Sequence, residues 1–127
     1  MDKQTYDRGL ELRKAVLGAE HVERSLASAD DFTRPLQDLI IEFGWGAVWG
    51  REGLTRKTRS MINLAMISAL NRPHELKLHV KGALRNGVSR EEIREILLQV
   101  GLYCGMPAAI DSFRVAREAI GEFDQGK

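Results

Sequence analysis

Apolar residues recur along this chain at helical spacing, and no stretch alternates as a half-buried strand would. Residues 3–17 carry Leu10, Leu12 and Val16 among many charges, an amphipathic helix expected to close near Gly18. Residues 19–31 are mixed and read as a connection containing a turn or short helix. Thr33 is placed to cap the next helix, with Pro35 in the first turn, where a missing N–H costs nothing. That helix carries Leu36, Leu39, Ile40 and Phe43 on one face, and Gly44 is expected to stop it. The glycine-rich segment GWGAVWGREG follows, and its composition predicts a loop without regular structure.

Thr55 or Thr58 then caps a central helix running to about Asn71. Within it, residues 61–70 (MINLAMISAL) are apolar but for Asn63 and Ser68. A helix apolar nearly all round belongs in a core or a subunit interface. Ten residues are too few to span a bilayer. Pro73 restarts the chain, and the next helix ends at the C-cap signal Asn86-Gly87. Ser89 and Glu92 form a capping box for a helix with Ile93, Ile96, Leu97, Val100 and Cys104 on one face. Gly105 interrupts, Pro107 restarts, and residues 108–123 form the last helix. The expectation is a single all-α domain over residues 1–127, with about six helices and short connections.

Composition narrows the function classes. The net charge of +1 is spread along the chain, without the basic stripe of a nucleic-acid binder. One cysteine, Cys104, excludes an intrachain disulfide, a CxxC redox pair and a cysteine-rich zinc site. The opening MDKQTYDRGLELRK has charges where a signal peptide needs an apolar core, so the reading is a soluble, cytoplasmic protein with no membrane partner.

The polar groups beside the central helix are the candidates for chemistry. Glu75 and His79 stand four apart, so on a helix they share a face. A carboxylate beside an imidazole holds its tautomer and raises its pKa, which suits proton transfer; the bland alternative is an exposed pair without function. His74-Glu75 invites comparison with the zinc-binding H-E-x-x-H, but the second histidine comes one place late and the two rings diverge, so no metal is expected. Arg56, Arg59 and Arg72 bracket the apolar run and are able to clamp a carboxylate, or simply to be solvated. For Arg72 the helix–proline corner is expected to fix the side chain beside Glu75. Trp45 and Trp49 either wall a pocket or anchor an interface or core. Tyr103, Cys104 and Met106 are expected to pack rather than react.

Residues 59–116, and in particular NRPHELKLHVKGAL, YCGMPAAIDSFRVARE and the upstream FGWGAVWGREGL, resemble the carboxymuconolactone decarboxylase family. The resemblance covers most of the chain from about residue 32. It implies the all-helical fold of the alkyl hydroperoxide reductase partner protein, and a homo-oligomer, trimer or hexamer. The peroxidase branch of that superfamily carries C-x-x-C-x-x-x-H. Laying His79 on its histidine puts Arg72 and Glu75 on the cysteine positions, which rules out thiol–disulfide chemistry here.

The family's activity is decarboxylation of 4-carboxymuconolactone to 3-oxoadipate enol-lactone, in the β-ketoadipate route of protocatechuate breakdown. The substrate is a dicarboxylate lactone whose conjugated carbonyl takes up the electron pair left by carbon dioxide. No cofactor is then needed, and no cofactor motif is present. On this frame His79 is the proton donor and Glu75 orients it. Arg72 holds a carboxylate or the lactone oxygen with Arg59 in support, and Trp45 and Trp49 wall the pocket. The alternatives are a cofactor-free enzyme acting on another carboxylated lactone or β-keto acid, and a non-catalytic helical protein that binds a small anion.

Overall fold

The computed structural model describes residues 1–127 and is helical throughout, without strands. Its helices are α1 (Lys3–Leu17), α2 (Ala19–Ala27), α3 (Arg34–Leu39), α4 (Arg56–Leu70), α5 (Pro73–Arg85), α6 (Arg90–Cys104) and α7 (Met106–Asp124). Between α3 and α4 runs a π-helical segment, Ile40–Trp49. The packing divides into two compact units, Met1–Thr55 and Arg56–Lys127.

In the first unit α1 lies along the π-helical segment, and the glycines explain how closely. A Cβ on Gly9 would collide with the Ile41 carbonyl, and one on Gly46 with the Thr5 carbonyl. Arg8 adds a hydrogen bond from Nη2 to the Gly46 carbonyl at 3.2 Å. Leu12, Val16, Leu17, Val22, Ile41 and Trp45 form the buried interior.

Two expectations fail in this unit, while the short helix allowed for within residues 19–31 forms as α2. Gly44 does not stop the helix, and GWGAVWGREG is not a loop until Gly50, because close tertiary packing outweighs the low helix propensity of glycine. Thr33 makes no side-chain cap; its hydroxyl and N–H bond to Asp30, whose carboxylate also accepts from the Phe32 N–H.

The second unit is built as expected at its ends. The Ser89 capping box is complete, with the Ser89 hydroxyl accepting from the Glu92 N–H and the Glu92 carboxylate accepting from the Ser89 N–H. Gly87 takes the left-handed φ of 90° just beyond the α5 C-cap, Asn86. Leu64, Leu76, Val80, Ile93, Leu97, Ala116 and Ala119 join α4–α7 in one core. Each of the larger of these side chains contributes about 1.5–3 kcal/mol on burial. Lys77 and Lys81 of α5 clamp Glu122 of α7. Mainly through the Lys77 hydrogen bond, then that of Lys81, the Glu122 carboxyl is held down at about 2 rather than 4.5. The clamp is therefore intact above pH 4.5 and released as pH falls towards 2.

The apolar run of α4 is not enclosed within the chain. Leu64 is buried, but Ile62, Met66 and Leu70 form a stripe exposed by 42%, 49% and 64%. Tyr103, Cys104 and Met106 are also exposed rather than packed, contrary to the helical-face reading. No helix is long and apolar enough to cross a membrane.

Candidate active site

A tight corner delivers the central imidazole. Asn71 takes a left-handed φ of 57°, and the Arg72 N–H reaches back to the Ile67 carbonyl at 3.3 Å, closing the end of α4. Pro73 then starts α5, with its fixed φ suited to the first turn. Leu76, His79, Val80 and Ala83 fall on the buried face of α5, following the helical period. His79 is accordingly only 8% exposed.

Its facing side chain comes from α4. Asn63 Nδ2 lies 3.4 Å from His79 Nδ1, and Asn63 is half-buried. Burial, the larger influence, pushes the ring's pKa below the ordinary 6.5, while the charge of Glu75 opposes it. The expectation that Glu75 would leave His79 with a raised pKa is thus reversed, because Glu75 is exposed and its charge is well screened.

Arg59 is half-buried and sits one turn before Asn63 on the same face of α4. Arg72 is exposed, and its Nη1 donates to the Leu70 carbonyl at 3.1 Å and the Asn71 carbonyl at 3.4 Å. The corner therefore sets Arg72 on the carbonyl end of α4, a favourable place for a cation, rather than against Glu75. Trp45 and Trp49 belong to the first unit, where their rings stack with centroids 4.7 Å apart. Trp45 is only 5% exposed, as an anchor would be.

Asn63 is the residue that the sequence reading passed over, taking it as a mere interruption of an apolar run. The usable signal was its position four residues after Arg59, inside a run, residues 61–70, that only Asn63 and Ser68 interrupt.

A groove of about 570 Å³ between α4 and α6 is lined by Met61, Ala65, Ile96, Val100 and Tyr103 among others. His79 does not line it. Asn63 stands two residues from both Met61 and Ala65, about 200° round the helix, so the groove and the imidazole lie on opposite sides of α4. No three His, Cys, Asp or Glu side chains converge as metal ligands would.

What the second unit presents is a buried, neutral-leaning imidazole with an amide partner, a nearby carboxylate and two arginines on the adjoining helix and corner. The sequence pattern of the carboxymuconolactone decarboxylase family matches residues 34–118, well over half of the chain. The chain belongs to this family. Two relatives stand out among those it resembles. The 4-carboxymuconolactone decarboxylase of Acinetobacter baylyi is 44% identical over 117 residues, 92% of this chain and 87% of its own length. The nitrosuccinic acid decarboxylase of Metarhizium robertsii is also 44% identical, over 128 residues, 100% of this chain and 90% of its own length. An uncharacterized 15.0 kDa protein of Paracoccus denitrificans is 32% identical over 89 residues, 68% of this chain and 66% of its own. This member of the carboxymuconolactone decarboxylase family is a carboxy-lyase with the family's all-helical fold.

Proposed function

We propose that this family member decarboxylates 4-carboxymuconolactone to 3-oxoadipate enol-lactone, in the β-ketoadipate route. The 44% identity to a 4-carboxymuconolactone decarboxylase over 92% of the chain carries the reading. In this reaction the C–C bond to the ring carboxylate breaks and carbon dioxide leaves. The bonding pair enters the conjugated ring and the lactone carbonyl, giving a 2-oxyfuran dienolate. A proton then adds to the ring carbon beside the carbonyl, so one proton is consumed for each carbon dioxide released. The electron sink is part of the substrate, and the protein's task is to hold a dianion and meet charge developing on the lactone oxygen.

The residues of the second unit suit those tasks. Arg59 and Arg72 supply fixed positive charge for the carboxylates, and Arg72 would leave its backbone carbonyls to do so. His79 is the group that meets the developing charge, as donor of a proton or a hydrogen bond, with Glu75 tuning it electrostatically. The dianion and the assembly of copies of this chain into a trimer or hexamer belong to the same reading.

The equal identity to a nitrosuccinic acid decarboxylase favours a second reading, a nitro-substituted dicarboxylate as substrate. The chemistry is parallel: a nitro group, like the conjugated lactone, accepts the pair left by carbon dioxide, and a second carboxylate is retained. Purified protein should be given each compound in turn, with ultraviolet absorbance and carbon dioxide release followed. Turnover of the lactone at the higher kcat/KM is expected. Turnover of nitrosuccinate alone would replace the first reading with the second, and turnover of neither would remove both.

A further inference from the structure

We propose that Asn63 is a positioning residue that holds His79 as its neutral Nε2–H tautomer, so that a hydrogen bond from Nε2–H, rather than an imidazolium, meets the charge developing on the substrate. The inference rests on the reading of His79 as the group that serves the reaction. It goes further by naming the form of the ring that works and the residue that selects it.

Three observations carry it. First, the contact is between Asn63 Nδ2 and His79 Nδ1, at 3.4 Å. An amide NH₂ only donates, so the nitrogen opposite it must offer a lone pair, and a neutral ring that accepts at Nδ1 carries its proton on Nε2. Second, Asn63 is half-buried, and an amide withdrawn from water is costly unless it is hydrogen-bonded. Third, burial of His79 disfavours the charged ring, and an amide N–H aimed at Nδ1 opposes a proton there in the same direction. Glu75 is exposed, and its charge favours the protonated ring, against the direction of burial.

The chemical consequence is specific. The Nε2–H tautomer offers a donor to the lactone oxygen as the dienolate forms, an interaction that strengthens only as charge develops. The opposite tautomer would turn a lone pair towards that oxyanion. The proton added to carbon then comes from solvent.

The test combines nitrogen-15 NMR of the histidine side chains with steady-state kinetics, on the full chain, for the unaltered protein, Asn63→Leu and Asn63→Asp. The chain has three histidines, and His79→Gln identifies the relevant signals. The unaltered protein should show a pyridine-type Nδ1 and a protonated Nε2. Asn63→Leu keeps the shape without the donor and should erase the preference. Asn63→Asp, which only accepts, should move the proton to Nδ1. In both variants kcat should fall about tenfold or more with KM little changed, because the lost interaction grows only on the way to the dienolate. A resting proton on Nδ1, or a tautomer unmoved in Asn63→Leu, would overturn the proposal. So would full kcat in both variants. If no decarboxylation is seen but the tautomer follows residue 63, Asn63's hold on the ring stands and the assigned reaction falls.

Discussion

Burying an imidazole lowers stability wherever the ring would be charged in water. For His79 this has a readable sign. Burial keeps its folded pKa below 6.5, so as pH falls the unfolded chain takes up the proton first. His79's share of stability is complete above about 6.5 and declines as pH falls from there towards the folded value. His79→Ala should therefore flatten the dependence of the melting temperature on pH just below 6.5, even though the variant melts lower overall. Its activity should fall by about 10²-fold or more, the scale of losing one donor to a developing oxyanion. An unchanged slope would mean that the ring is not the titrating group, and unchanged turnover would take it out of the site. Glu75 and His79 were legible because a helix brings residues four apart onto one face. The Asn63–His79 contact was not, because it joins two helices, and no local period reports which turn of α4 meets which turn of α5.

At the scale of elements, the glycines of the first unit show how composition misleads. Gly44, Gly46 and Gly50 read as a loop, since glycine is a poor helix former and frees the backbone. They occupy or end a helical segment instead, and they differ from one another in reason. A Cβ on Gly44 meets nothing within 4 Å, whereas one on Gly46 runs into the backbone of Thr5 on α1. Gly44→Ala should then leave stability unchanged or raise it by about 0.5–1 kcal/mol, from lower backbone entropy in the unfolded chain. Gly46→Ala should destabilise by about 1–3 kcal/mol or more, as overpacking against backbone that has no rotamer to yield. Denaturant midpoints of the two variants, compared side by side, check the pair. Equal effects would mean that Gly46 is not held against α1. The usable signal was spacing: Gly46 and Gly50 are one helical turn apart, as are Thr5 and Gly9, which marks two faces built for close approach. The second unit was read more accurately, because Pro73, Asn86-Gly87 and the Ser89–Glu92 box fix their ends by local chemistry that packing does not override.

At the scale of the whole molecule, the apolar run of α4 has a face that one chain does not cover. Ile62, Met66 and Leu70 follow one another at four-residue steps, so they line one side of the helix. The groove beside them, between α4 and α6, continues the apolar surface through Tyr103. Isolated exposed hydrophobics are ordinary, but a continuous stripe of this kind is characteristic of surface buried in an assembly. A second copy of the chain is the occupant that the family reading supplies, and a closed ring or pair of rings would hide the stripe on every copy at once. Light scattering after size-exclusion chromatography should therefore give a trimer or hexamer mass. Placing two negative charges on the stripe, with Ile62→Asp and Met66→Asp together, should release folded monomers, since an unpaired charge in an apolar interface costs several kcal/mol. The choice of positions keeps the test clean: both side chains are 42% or more exposed in the single chain, so their replacement does not touch its core. A monomer for the unaltered protein would remove the assembly. An intact oligomer in the double variant would move the interface to another face, and would leave the α4 stripe as exposed surface in need of a different partner.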